Sequence, residues 1–199
     1  MENVFASAYC TIAATSAGGW RDGFLRANPE SQYIEMQGNS ERPTCTCNYV
    51  KDVDGGALLK RAWVLQERVL SRRIIHFAAT HTYWECRDGV RCEQFAKIET
   101  PSNEYFLLDP AFPTRLNKAG YERSVQFIQY LFENYSRSGL TVSTDRDTAI
   151  FSLVERMGHV FDTKAKHGIL RCFLASLLLW KRTGEESTAP IPYHEKDHS

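Results

Sequence analysis

The stretch RAWVLQERVLSRRIIHF, residues 61–77, decides the fold, because its hydrophobic period changes partway along. Leu58, Ala62, Leu65 and Val69 recur at helical spacing, and Leu59, Trp63, Gln66 and Leu70 form an adjacent row. A helix with a wide buried face is therefore predicted as far as Leu70. Beyond it the period shortens. RRIIHF (72–77) and HTYWEC (81–86) are β-prone runs separated by Ala78, Ala79 and Thr80, which suits a hairpin or two neighbouring strands. Alternation along the second run puts Thr82, Trp84 and Cys86 on one face, Tyr83 and Glu85 on the other. A helix feeding a pair of strands predicts an α/β or α+β domain.

Toward the N-terminus, NVFASAYCTIAATSA (3–17) is rich in small and β-branched residues and fits a helix end running into a buried strand over residues 9–14. Gly18, Gly19 and Gly23 flank Trp20 and Asp22, and residues 20–49 are polar, with Pro29, Gly38 and Pro43, so they read as a long loop or insertion. Toward the C-terminus, a polar stretch with Pro101, Pro110 and Pro113 leads into a predicted helix over residues 121–135. Val125, Ile128, Phe132 and Tyr135 form its stripe. Thr144 with Asp147 is a capping-box-like pair opening the next helix, whose apolar face is Ile150, Leu153, Val154, Met157 and Phe161. Residues 169–180 read as helix or strand, and the C-terminal part is mostly helical. One domain over residues 1–182 with a flexible tail over 183–199 is expected, with no internal repeat.

Composition narrows the function. Hydrophobic residues are 43% and aromatic residues 12% of the 199, enough for a packed interior. Lys plus Arg equals Asp plus Glu at 24 each, so no net field steers the chain toward nucleic acid or an anionic membrane. The first residues lack the basic start of a secretory signal, and the most apolar stretch, 169–180, is shorter than the roughly 20 residues a membrane span needs. A cytoplasmic protein is expected, with its six cysteines mostly free thiols.

Three separated stretches carry a family resemblance. Met1, Val4, Phe5 and Ala8 run into YCTIAATSA (9–17). Arg61, Trp63, Leu65, Gln66 and Glu67 are followed by Leu70, Ser71 and Arg73, then by Trp84, Glu85 and Cys86. Tyr135, Ser136, Leu140, Thr141 and Asp145 precede a closing Leu178, Leu179 and Trp180. In this order the motifs resemble the C-terminal part of the fungal heterokaryon-incompatibility (HET) domain. The resemblance implies a small, incomplete TIR-like sheet with flanking helices. It places the family's first strands ahead of Met1, leaving a sheet flank open for a protein partner or a second copy of the chain. It also implies a role in fungal non-self recognition and programmed cell death, exercised through protein contacts. The alternative is a stand-alone cofactor-independent cyclase or isomerase of secondary metabolism, acting on a small apolar molecule.

Candidate catalytic residues are Gln66, Glu67, His76 and Glu85. A buried Glu67 would have a raised pKa suited to general acid or base work, although an ion pair with Arg61, Arg68 or Arg73 is the favoured reading. His76 and Glu85 fall on adjacent predicted strands, where an acid beside an imidazole can shuttle a proton if the register brings them together. Trp20, Trp63, Arg73 and Trp84 are the candidate ligand-binding residues for an apolar molecule, with Trp180 a further candidate wall, although core packing is the commoner use of such rings. Trp63, Leu65, Leu70 and Trp84 are expected to be buried. Cys45, Cys47, Cys86 and Cys92 have gaps of one and five residues that suit zinc poorly, so no metal is expected, and Cys86 is read as a small buried residue before it is read as a nucleophile. No phosphate-binding glycine loop or dinucleotide motif is present, so no cofactor is expected.

Overall fold

The computed structural model describes residues 2–25, 47–93, 97–98, 106–166 and 168–179. The short helix α1 (Glu2–Ser7) leads into β1 (Thr11–Ala13), a shorter strand than the sequence suggests. Helix α2 (Ala62–Leu70) then feeds β2 (Arg73–Phe77), β3 (Thr82–Cys86), β4 (Gly89–Cys92) and β5 (Lys97–Ile98). These five strands form one sheet in sequence order, with β1 parallel to β2 and every later pair antiparallel. The fold is mixed α/β. Tight turns suffice between β2, β3 and β4, whereas the parallel β1–β2 pair needs a long crossover, which carries α2.

The other layer holds α3 (Thr114–Lys118), α4 (Tyr121–Arg137), α5 (Arg146–Val160), the hairpin of β6 (Ala165–Lys166) and β7 (Ile169–Leu170), and α6 (Leu174–Leu177). Val125, Ile128, Phe132 and Tyr135 of α4 are all buried, as their spacing predicts. They share one core with Leu153 and Met157 of α5, Ala62 and Val69 of α2, and Leu170, Phe173 and Leu177. Each fully buried side chain of this size contributes about 1.5–3 kcal/mol. A smaller core of Tyr49, Val53, Tyr83, Val90 and Cys92 lies against the sheet.

Several expectations need correction. Helical spacing from Leu58 is a coincidence of two elements: Leu58–Lys60 is a separate 3-10 turn, and Arg61 is extended before α2 begins. Its bridge to Gly139 fixes the start of α2 against the end of α4. Leu70 is buried, but Trp63, Leu65 and Trp84 are only half-buried. The Thr144–Asp147 capping box does not form, because Thr144 lies inside the turn Ser143–Asp145 and the helix cap, Asp145, makes no side-chain cap bond. Tyr49, read as loop, is buried at the head of the π-helical turn Val50–Asp54. Over the described residues 169–179 the stretch is neither one helix nor one strand but a strand, a 3-10 turn and a helix as far as Leu177. Cys45, Trp180 and the tail 183–199 lie outside the described residues. Among the described residues no helix is long and apolar enough to cross a membrane.

Candidate functional site

Pairing of β2 with β3 sets Ile75 opposite Trp84 and His76 opposite Tyr83. Alternation then turns Ile74, His76, Tyr83 and Glu85 to one face, all of them buried. The sequence named this face of β3 and left the register open; the register brings the two candidates together. His76 Nε2 donates to Glu85 Oε2 at 2.7 Å, and His76 Nδ1 shares a 3.1 Å hydrogen bond with Thr15 Oγ1.

Arg68 completes the group from α2. Its Nε and Nη2 donate to the two oxygens of Glu85 at 3.2 and 2.8 Å, a forked geometry that suits guanidinium and carboxylate. Its Nη1 donates to Asp54 Oδ1 at 3.1 Å and its Nη2 to Tyr49 Oη at 2.6 Å. Burial alone would raise the Glu85 carboxyl, but the Arg68 charge and the His76 hydrogen bond outweigh it and hold the carboxyl at about 2. For Arg68, burial works against the charge, and Glu85, Tyr49 and Asp54 more than offset it, so its pKa is raised. Asp54 is the reverse case: burial raises its carboxyl and Arg68 reverses only part of that.

A second polar group lies alongside. Asp52 accepts hydrogen bonds from Thr80 Oγ1 and Tyr83 Oη, and His81 Nδ1 is 3.5 Å away. Burial raises the Asp52 carboxyl, yet the bonds from Thr80, Tyr83 and His81 bring it below its ordinary value. The Tyr83 phenol is pushed up, first by burial and then by its bond to Asp52.

Hydroxyl, imidazole and carboxylate in series (Thr15, His76, Glu85) have the order of a nucleophile relay. Access denies them that use. Thr15 is 0%, His76 1% and Glu85 3% exposed. The backbone of Gly56 closes over Thr15 so tightly that a Cβ there would lie 2.7 Å from Thr15 Cγ2. With Glu85 held by three N–H donors, what the arrangement does is fasten α2 to the sheet.

The remaining candidates are dispersed. Glu67 is half-buried; burial raises its carboxyl and the Arg61 charge pulls it partly back. The ion pair expected at Glu67 thus falls one residue on, between Arg68 and Glu85. Gln66 is buried, with no hydrogen-bond partner for Oε1. Trp63 packs on the main core. Trp84 points to the opposite side of the sheet from Glu85 and belongs to neither core. Arg73 lies 4.7 Å over the Tyr9 ring, and Trp20, 88% exposed, carries Arg21 at 4.6 Å. A groove of about 740 Å3 along α5, lined by Ile150, Phe151, Val154 and His159 among others, contains none of these residues. Neither does a cleft of about 310 Å3 between Leu65, Arg68 and Tyr130 contain Trp20, Trp63, Trp84, Gln66, Glu67 or His76. Among the described residues no three His, Cys, Asp or Glu side chains gather to hold a metal. Cys86 is half-buried rather than buried, and Cys92 is the buried thiol of the small core.

Sequence reasoning missed Asp54, Tyr49 and Thr15, and named Arg68 only as a partner for Glu67. One signal pointed to Arg68: Glu85 shares a strand face with Tyr83, and a carboxylate turned into a core demands a cation from the element packed on it. Val64 and Arg68 lie one helical turn apart on α2 and are both buried. No family model matches the chain, and no curated protein or solved structure matches it.

Proposed function

We propose that the protein works through protein contacts, in the manner its HET-like motifs imply, as a component of fungal non-self recognition and programmed cell death. The observation that carries this reading is a set of exposed apolar side chains at the β1 edge of the sheet, as it stands among the described residues. Val4, Tyr9 and Ile12 are 65%, 78% and 62% exposed, on or beside the edge strand β1. Edge strands with apolar side chains favour association. The enzyme alternative lacks support from the site: His76 and Glu85 are sealed, and neither of the cavities above is walled by Gln66, Glu67 or His76. Expression in a filamentous fungus, scored for growth arrest and cell death, tests the reading with two variants of known melting temperature. Ile12→Asp is expected to abolish the response without lowering the melting temperature, and Glu67→Gln to keep it. Retention by Ile12→Asp, or loss in a stably folded Glu67→Gln, would overturn the proposal in favour of turnover.

A further inference from the structure

The same sheet has a second face. Strand register aligns Ile12, Ile75, Trp84, Arg91 and Lys97 in a single row across all five strands. At the usual strand spacing the row is about 20 Å long. The inner face is occupied by Arg68, Tyr49 and Val53, whereas on this outer row Ile12, Arg91 and Lys97 are exposed, and Ile75 and Trp84 are half-buried and belong to neither core. The row therefore grades from apolar at β1 to cationic at β5. Arg73, on the same face of β2, adds a guanidinium at the apolar end. No carboxylate among the described residues pairs with Arg91 or Lys97.

We propose that this outer face docks an acidic amphipathic segment of a partner protein, its apolar stripe lying on Ile12, Ile75 and Trp84 and its carboxylates meeting Arg91 and Lys97. The inference rests on the contact reading above and names the partner's chemistry. Charge decides among occupants. A second copy of this chain would present the same cations to Arg91 and Lys97, with no acid in its own row to meet them. A nucleic acid would find cations, but the row that carries them offers it one ring, Trp84, beside two isoleucines. A row of about 20 Å corresponds to about 13 helical residues, a length typical of a helix laid into an apolar groove.

The test uses the full chain and a fluorescein-labelled synthetic helix of 18 residues with leucines along one stripe and glutamates flanking it, alongside its scrambled sequence, read by fluorescence anisotropy. Saturable binding of the patterned peptide alone is expected, weakened at least tenfold by the exposed charge reversal Arg91→Glu/Lys97→Glu and by raised salt. Trp84→Ala should weaken it as well; Trp84→Phe, which keeps a ring, covers the case in which Ala unfolds the chain. Absence of peptide binding, binding indifferent to the charge reversal, or preference for oligo(dT) or phosphatidylserine vesicles at these residues would overturn the proposal. The two ideas fail separately. If Ile12→Asp abolishes cell death while the peptide does not bind, protein contact stands and the acidic partner falls; if the peptide binds while Ile12→Asp leaves cell death intact, the functional reading falls.

Discussion

The inner and outer faces of the β2–β3 pair reverse the usual distribution of polarity. Facing inward, His76 and Glu85 meet Arg68 in the interior; facing outward, Ile75 and Trp84 stay half-exposed. Two charges taken out of water cost several kcal/mol each, and only complete pairing offsets that. Here pairing is complete, since both Glu85 oxygens are bonded and Arg68 reaches three partners. The contrast shows that acid and imidazole side by side describe a fastening when they are sealed, while the apolar side chains of the pair are the ones solvent reaches.

The most severe challenge to this contrast is to remove one inner partner. Glu85→Ala takes from the buried Arg68 the carboxylate that its Nε and Nη2 share, and is expected to cost about 3–5 kcal/mol in chemical denaturation. A loss below about 1 kcal/mol would mean that the inner face is not what joins α2 to the sheet. Acid acts on the same group more gradually. The folded Glu85 carboxyl sits at about 2 against an ordinary 4.5, so the unfolded chain binds the proton more readily. Its contribution is full above about pH 4.5 and is lost as the pH falls toward 2. Asp54, raised by burial and by the Glu85 charge, acts in the opposite direction, so the difference between wild type and Glu85→Gln across this window reads the Glu85 carboxyl together with its effect on Asp54.

Two tryptophans sharpen the comparison further. Trp63→Ala, on the main core, is expected to cost about 2–3 kcal/mol, less than a fully buried indole because the ring is half-exposed. Trp84→Ala, on the outer face, should cost under about 1 kcal/mol, and a reversed order in thermal denaturation would make the outer face a core. The smallest effect is expected at Gln66. Gln66→Met removes a buried acceptor without a partner and should change stability by no more than about 1 kcal/mol, in the stabilising direction.

Periodicity made much of this fold legible. Helix α4 follows its stripe, and the period-2 reading of β3 assigns Tyr83 and Glu85 to the face where they lie. Elements too short to show a period were not legible: β4 and β5 have four and two residues, and the turn Val50–Asp54 sits in sequence that reads as loop. At the site, strand register was the missing quantity, because a one-residue slip would have parted His76 from Glu85. The sequence offered Arg68 only as a partner for Glu67, since a helical arginine ordinarily faces water, and only the carboxylate opposite it reverses that expectation.

The parallel strand at the sheet edge has a consequence for the order of assembly. Strands β2, β3 and β4 are neighbours in sequence and can pair as soon as they collapse. Strand β1 meets β2 only after a closure of sixty residues, marked by the 2.8 Å contact of Thr11 Oγ1 with Ser71 Oγ. Three residues of pairing must offset that closure, so β1 joins last and frays first. Thr15 lies two residues beyond β1, and an edge strand that peels away carries its hydroxyl off His76. Water would then enter beside His76 and Glu85 at the moment the edge of β2 is bared, so hydration of the interior and exposure of a new edge become one event.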